Sequence, residues 1–64
     1  MRIHRQTIFG KNYNLVYHSN DDSDFPYIIE ITEKNGHIVE SHLLQKPKGT
    51  EYLRHVLKNY EKGR

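Results

Sequence analysis

Arg54, Lys58 and Lys62 recur every four residues near the C-terminus of the chain. On a helix that spacing aligns side chains along one ridge, and a ridge of cations can neutralise nucleic-acid phosphates. Lys46 and Lys48 precede the ridge and Arg64 follows it. Arg2 and Arg5, if they project from the first strand on the same side, would join them. Such a surface would hold phosphates with little base readout, because few Asn or Gln accompany the cations. Glu51 and Glu61 interrupt the ridge, and a generic solvated helix face competes with the binding reading.

Tyr13, Tyr17 and Tyr27 form a second set, in segments of strand composition near Arg5, His4 and His42. Two of them could stand on the solvent side of a sheet. Aromatic rings beside cations stack bases or anchor protein interfaces, where Tyr and Arg are enriched. The simpler alternative for any one of them is a place in the core, since the chain has no Ala and no Trp.

Other chemistries fit poorly. His4, His18, His37, His42 and His55 show no metal-ligand spacing such as two His four apart, so neither a metal nor another cofactor is expected. Asn20, Asp22 and Asp24 alternate like the start of a calcium loop. That loop needs Gly at its sixth position and Glu at its twelfth, where Phe25 and Ile31 stand. A turn stabilised by its own Asn, Asp and Ser side chains is the better reading. Ser19 and Ser23 lie in the polar loop, and Ser41 has His42 beside it on the opposite strand face. No Gly-rich phosphate loop occurs, and no nucleophile, base and pocket come together. No catalytic residue is assigned, and a non-enzymatic module is expected.

The stretch Pro47-Lys48-Gly49-Thr50 with Leu53-Arg54 and Leu57-Lys58 resembles the closing segment of HicA-type toxins, small RNA-cleaving proteins. The N-terminal helix and the Gly-Ser-His-His motif of that family do not occur in the chain, so its activity is not carried over.

The scaffold must be small. The 64 residues carry a net charge of +2, which hides blocks of +3 over residues 1–18, −5 over 19–45 and +4 over 46–64. One domain, 1–64, is expected. With no Cys, disulfide and thiolate-zinc staples are excluded. The longest apolar run, Tyr27-Ile28-Ile29, is far too short to cross a bilayer. The N-terminus lacks the apolar stretch of a secretory signal, so no membrane association and a cytoplasmic location are expected. A domain this short buries a modest fraction of its surface, and a homodimer is one way to bury more.

Strands are expected over about 2–9, 13–18, 26–33 and 38–44, and a helix over about 50–62. Gly10-Lys11-Asn12 suits a tight turn, and Asn35-Gly36 is a strong hairpin signal. A two-residue Asn-Gly loop would pair Lys34 with His37 and place His42 opposite Ile29. A three-residue loop with a Gly bulge would pair Glu33 with His37 and set Glu30 against Glu40. Both registers remain open. Thr50 is the expected N-cap, and Gly63 stands where a helix would end. Tyr52, Leu53, Val56, Leu57 and Tyr60 make the apolar stripe. The resulting fold is α+β, a four-stranded antiparallel sheet of two hairpins with the C-terminal helix on one face (ββββα). Its expected role is a small binding or regulatory module that contacts nucleic acid non-specifically. The alternative is a protein-binding adaptor or inhibitor that uses the open sheet face or a strand edge.

Overall fold

The structure, a computed structural model, describes residues 5–63. Four strands, β1 (Arg5–Phe9), β2 (Tyr13–Ser19), β3 (Tyr27–Glu33) and β4 (Ile38–Leu44), precede helix α1 (Thr50–Lys62). The strands form one antiparallel sheet in the order β1-β2-β3-β4. This is the expected ββββα architecture. Expected strand residues 2–4 lie outside the described residues, and elsewhere the element bounds agree within a residue.

The pleat sorts the side chains. Residues directly opposed across an antiparallel pair share a face, and successive residues alternate. Leu15 opposes Ile8 and Ile31, and Tyr17 opposes Gln6 and Ile29. These residues turn toward α1, where Leu53 and Leu57 close a core with Leu15, Tyr17, Ile29 and Ile31. Tyr52, expected in the apolar stripe, lies at its rim and stays exposed. The opposite face carries Arg5, Thr7, Phe9, Asn14, Val16, His18, Ile28, Glu30, Thr32, Ser41 and Leu43, and no element covers it among the described residues. Val16 and Thr32 are nonetheless buried there by their neighbours in the sheet.

Both candidate registers of the β3–β4 hairpin are present, in succession. At the turn, Glu33 N donates to His37 O (2.8 Å) and Gly36 N to Glu33 O (2.9 Å), the three-residue loop. Gly36 adopts φ +96°, a left-handed conformation that costs other residues. Thr32 then opposes Ile38, but Ile31 opposes Glu40, so Val39 is an extra residue in a β-bulge. From there on His42 faces Ile29, the pairing of the two-residue loop. The bulge sets Glu30 opposite Ser41 rather than Glu40, which avoids a like-charge cross-strand pair.

The helix start corrects one expectation. The N-cap is Gly49, without a side-chain capping bond, and Thr50 is the first helical residue. The Thr50 hydroxyl instead accepts from Gln6 Nε2 (2.9 Å), which ties the helix start to β1. Gly63 ends the helix as expected, its N–H donating to Asn59 O (3.0 Å).

Candidate nucleic-acid interface

Leu53 and Leu57 fix the roll of α1, and that roll turns Arg54, Lys58 and Lys62 to solvent. None of the three forms an ion pair among the described residues. Glu61 does not neutralise them. Its Oε2 accepts from Asn12 N (2.7 Å) and Tyr13 N (2.9 Å) at the β1–β2 turn. These backbone donors hold the Glu61 carboxyl below the usual carboxylate range, with Lys34 adding a smaller push the same way. Glu51 stays exposed in the first turn, where the helix dipole favours an acid. The ridge is therefore interrupted at its start and not at its end.

Lys46 is exposed in the segment before α1. Lys48 is half-buried, with its ammonium 4.9 Å from the centre of the Tyr52 ring. That contact holds a cation beside the helix start. His55 and Asn59 engage each other, Asn59 Nδ2 donating to His55 Nε2 (3.0 Å).

Arg5 does not join this surface. Its neighbours Gln6 and Ile8 face the helix side, so Arg5 projects to the open face of the sheet. Arg2 and Arg64 lie outside the described residues, as does His4. The cations placed around α1 are thus Arg54, Lys58, Lys62, Lys46 and Lys48.

The tyrosines are also placed differently from the solvent-side expectation. Tyr13, Tyr17 and Tyr27 are on the helix-covered side, because each alternates with Leu15 or Ile29 along its strand. Tyr17 is buried, stacks with Tyr27 (centroids 5.8 Å apart) and accepts Lys48 N at its hydroxyl (3.1 Å). Tyr13 meets Tyr60 edge to face at 5.0 Å. These rings build core and hold the segment before α1 in place.

The polar loop is organised by its own side chains. Asp22 Oδ1 accepts from Asp24 N (2.8 Å) and Phe25 N (3.2 Å), and Asn20 Nδ2 donates to Phe25 O (2.9 Å). His18 Nε2 lies 3.1 Å from Glu30 Oε1, and its Nδ1 lies 3.0 Å from Ser19 O. Both ring nitrogens face acceptors, so both bonds form together only in the doubly protonated ring. Among the described residues, no group of three or more His, Asp or Glu is placed to hold a metal ion. Among the described residues no helix is long and apolar enough to cross a membrane. A shallow depression of about 300 Å³ lies between Phe25, Leu43, Leu44, Gln45, Lys46 and Lys48, and it gathers no catalytic constellation.

Two further contacts also escaped the sequence reading. Lys34 Nζ reaches across to Gly10 O (2.6 Å) and Asn14 Oδ1 (2.7 Å), pinning one turn to the other. Glu40 and His42 pair along β4, with Oε2 and Nε2 3.3 Å apart. Their separation of two residues on a strand is the signal that places them on one face. No family model matches the chain, and neither a curated protein nor a solved structure does.

Proposed function

We propose that the chain is a small non-enzymatic binding module whose α1 outer face holds nucleic-acid phosphates. The observation that carries this reading is the capture of Glu61 by the β1–β2 turn. It turns the Glu61 carboxylate toward the β1–β2 turn, and Arg54, Lys58 and Lys62 form no ion pair with it. Successive cations stand about 6 Å apart along the helix axis, close to two nucleotide rises of a duplex. Lys46 and Lys48 extend the positive surface at the helix start. His55 and Asn59 satisfy each other, which suits phosphate contact without base readout.

A protein-binding role, as adaptor or inhibitor, is favoured by a separate observation. The open sheet face exposes Phe9 (76%) and Leu43 (50%), and β4 also exposes Ile38 (49%). Phe9 and Ile38 stand at the two edges of one end of the sheet and Leu43 at the other end, so a protein partner would have to span the uncovered face to meet all three.

Fluorescence anisotropy with short labelled duplex and single-stranded DNA and RNA, at two salt concentrations, separates the two. With about four to six phosphates contacted, the log–log salt slope is expected at roughly −3 to −5. Changing Arg54, Lys58 and Lys62 together to Glu is expected to abolish binding while the thermal midpoint barely moves. Absence of binding at low salt, or binding that survives the triple reversal, refutes the nucleic-acid reading and leaves the protein-partner one.

A further inference from the structure

We infer that β4 is a self-pairing edge, by which two copies of the chain join β4 to β4 antiparallel about a two-fold axis that runs between their Ser41 residues. This inference does not depend on nucleic-acid binding.

Among the described residues β4 has β3 as its one neighbour, and its other edge is open. Sheet edges are commonly guarded by charged side chains, Lys above all, by Pro, by a bulge or by inward-pointing charges; on β4 the inward groups, Glu40 and His42, pair with each other. Strand β4 has neither Lys nor Pro. Its bulge lies at Val39, beside the turn, so Glu40 to Leu44 run one-to-one against Ile31 to Tyr27 as regular strand. The helix does not screen this stretch. Glu40 and His42 are on the helix side, opposite Ile31 and Ile29, yet their side chains remain 40% and 52% exposed.

The two-fold axis of an antiparallel strand pair stands perpendicular to the sheet. Opposed residues must then share a face, so the axis can pass only midway between a residue and its own symmetry mate. Centred on Glu40, the pairing sets carboxylate against carboxylate. Centred on His42, it sets imidazole against imidazole and Glu40 against Leu44. Centred on Ser41, it sets Glu40 against His42 of the second copy, twice. Each copy already pairs Glu40 with its own His42. Two copies would therefore build an alternating quartet, each carboxylate between two imidazoles. The same register brings Leu43, on the open face, toward the bulge at Val39 of the second copy, and both side chains are exposed in the single chain. The facing of Glu40 and His42 thus selects one register, and the pairing is isologous and closed.

A single strand pair buries less than a standard interface, so dimerisation belongs to the micromolar range and above. The test is sedimentation equilibrium from about 10 µM to about 1 mM, a span that covers weak complexes of this size. The expected result is a shift from one chain mass to two. His42→Glu gathers four carboxylates at the axis and is expected to weaken the dimer about ten-fold or more, since a carboxylate replaces the imidazole facing Glu40 in both symmetry-related pairs. Adding Glu40→Lys to that variant restores the alternation and the dimer. His42→Lys, which sets an ammonium against Glu40, tightens it or leaves it intact, and it serves as readout should circular dichroism show His42→Glu unfolded. A monomer throughout overturns the inference. So does a mass that grows past two chains, a dimer indifferent to His42→Glu, or a folded double variant that stays monomeric.

Discussion

Gly10→Ala tests how closely the helix end is drawn onto the β1–β2 turn. A Cβ at this position would stand 2.6 Å from Tyr13 O, 2.7 Å from Glu61 Oε2 and 3.0 Å from Leu57 Cδ2. Two effects oppose each other. Replacing Gly restricts the unfolded chain, which stabilises by about 0.4–1 kcal/mol where the new side chain fits. Forcing a methyl into filled space costs about 1–3 kcal/mol. The Glu61 carboxylate and the Leu57 methyl end flexible side chains and can retreat. The Tyr13 carbonyl is backbone, and it accepts the N–H of Gly10 itself at 2.8 Å. Moving it loosens that bond, worth about 1 kcal/mol net. The crowding therefore wins, and a net loss of about 1–3 kcal/mol is expected. In a domain of this size each kcal/mol moves the midpoint by about 4–8 °C, so thermal unfolding followed by circular dichroism should show a fall of roughly 5–20 °C. An unchanged or raised midpoint would show that the entropy effect prevails, and would refute the close approach. Repeating the substitution in a Glu61→Ala background locates the obstacle. A smaller loss there assigns part of the crowding to the carboxylate, and an equal loss assigns it to the Tyr13 carbonyl.

Two further outcomes are expected. The Glu61 carboxyl titrates below its ordinary value of 4.5 because the backbone N–H groups of Asn12 and Tyr13 favour its charged form. Its contribution is thus complete above the unfolded-state value and is lost as pH falls through the lower folded-state value. Urea midpoints of the native chain should fall more steeply than those of Glu61→Gln below about pH 4.5, and parallel curves would disprove the role. Tyr17→Phe removes the acceptor for Lys48 N, and a loss of about 0.5–1.5 kcal/mol is expected in urea unfolding. Nucleic-acid affinity should be unchanged, because the ring stays in the core; a matching loss of affinity would show that the hydroxyl positions Lys48 for binding.

The five elements were legible because each has its own local signature. Strand composition, Asn35-Gly36 and the stripe through Leu53 and Leu57 all act over a few residues. The faces of the tyrosines were also within reach. Tyr13-Asn14-Leu15-Val16-Tyr17 alternates, so any face that buries Leu15 takes both tyrosines with it. Hairpin register was not within reach, because the bulge at Val39 combines two registers that each look self-consistent over part of the strand. A bulge inserts a residue without a compositional mark of its own. Electrostatic relief at Glu30 is its visible consequence, and that relief depends on which strand residue faces which. Glu61 was illegible for another reason. Its partners, Asn12 and Tyr13, lie 49 and 48 positions away in sequence, and only the packing of α1 across β2 brings them within reach.

The outer face of α1 and the edge of β4 are separate surfaces, and a two-fold axis perpendicular to the sheet connects them. Such an axis keeps both helices on the same side of the joined sheet. Two ridges of Arg54, Lys58 and Lys62 would then face one way, and a nucleic acid lying across them would meet both. Engagement of the second ridge would then be intramolecular and would gain from effective concentration without any new contact. The perturbations stay distinct, since reversing the three ridge charges leaves Glu40 and His42 untouched. Changing His42 alone to Glu leaves each ridge intact. Loss of phosphate binding with dimerisation preserved would therefore indict the ridge alone. Loss of dimerisation with weakened but surviving binding would mean that each ridge works singly and that pairing adds only avidity.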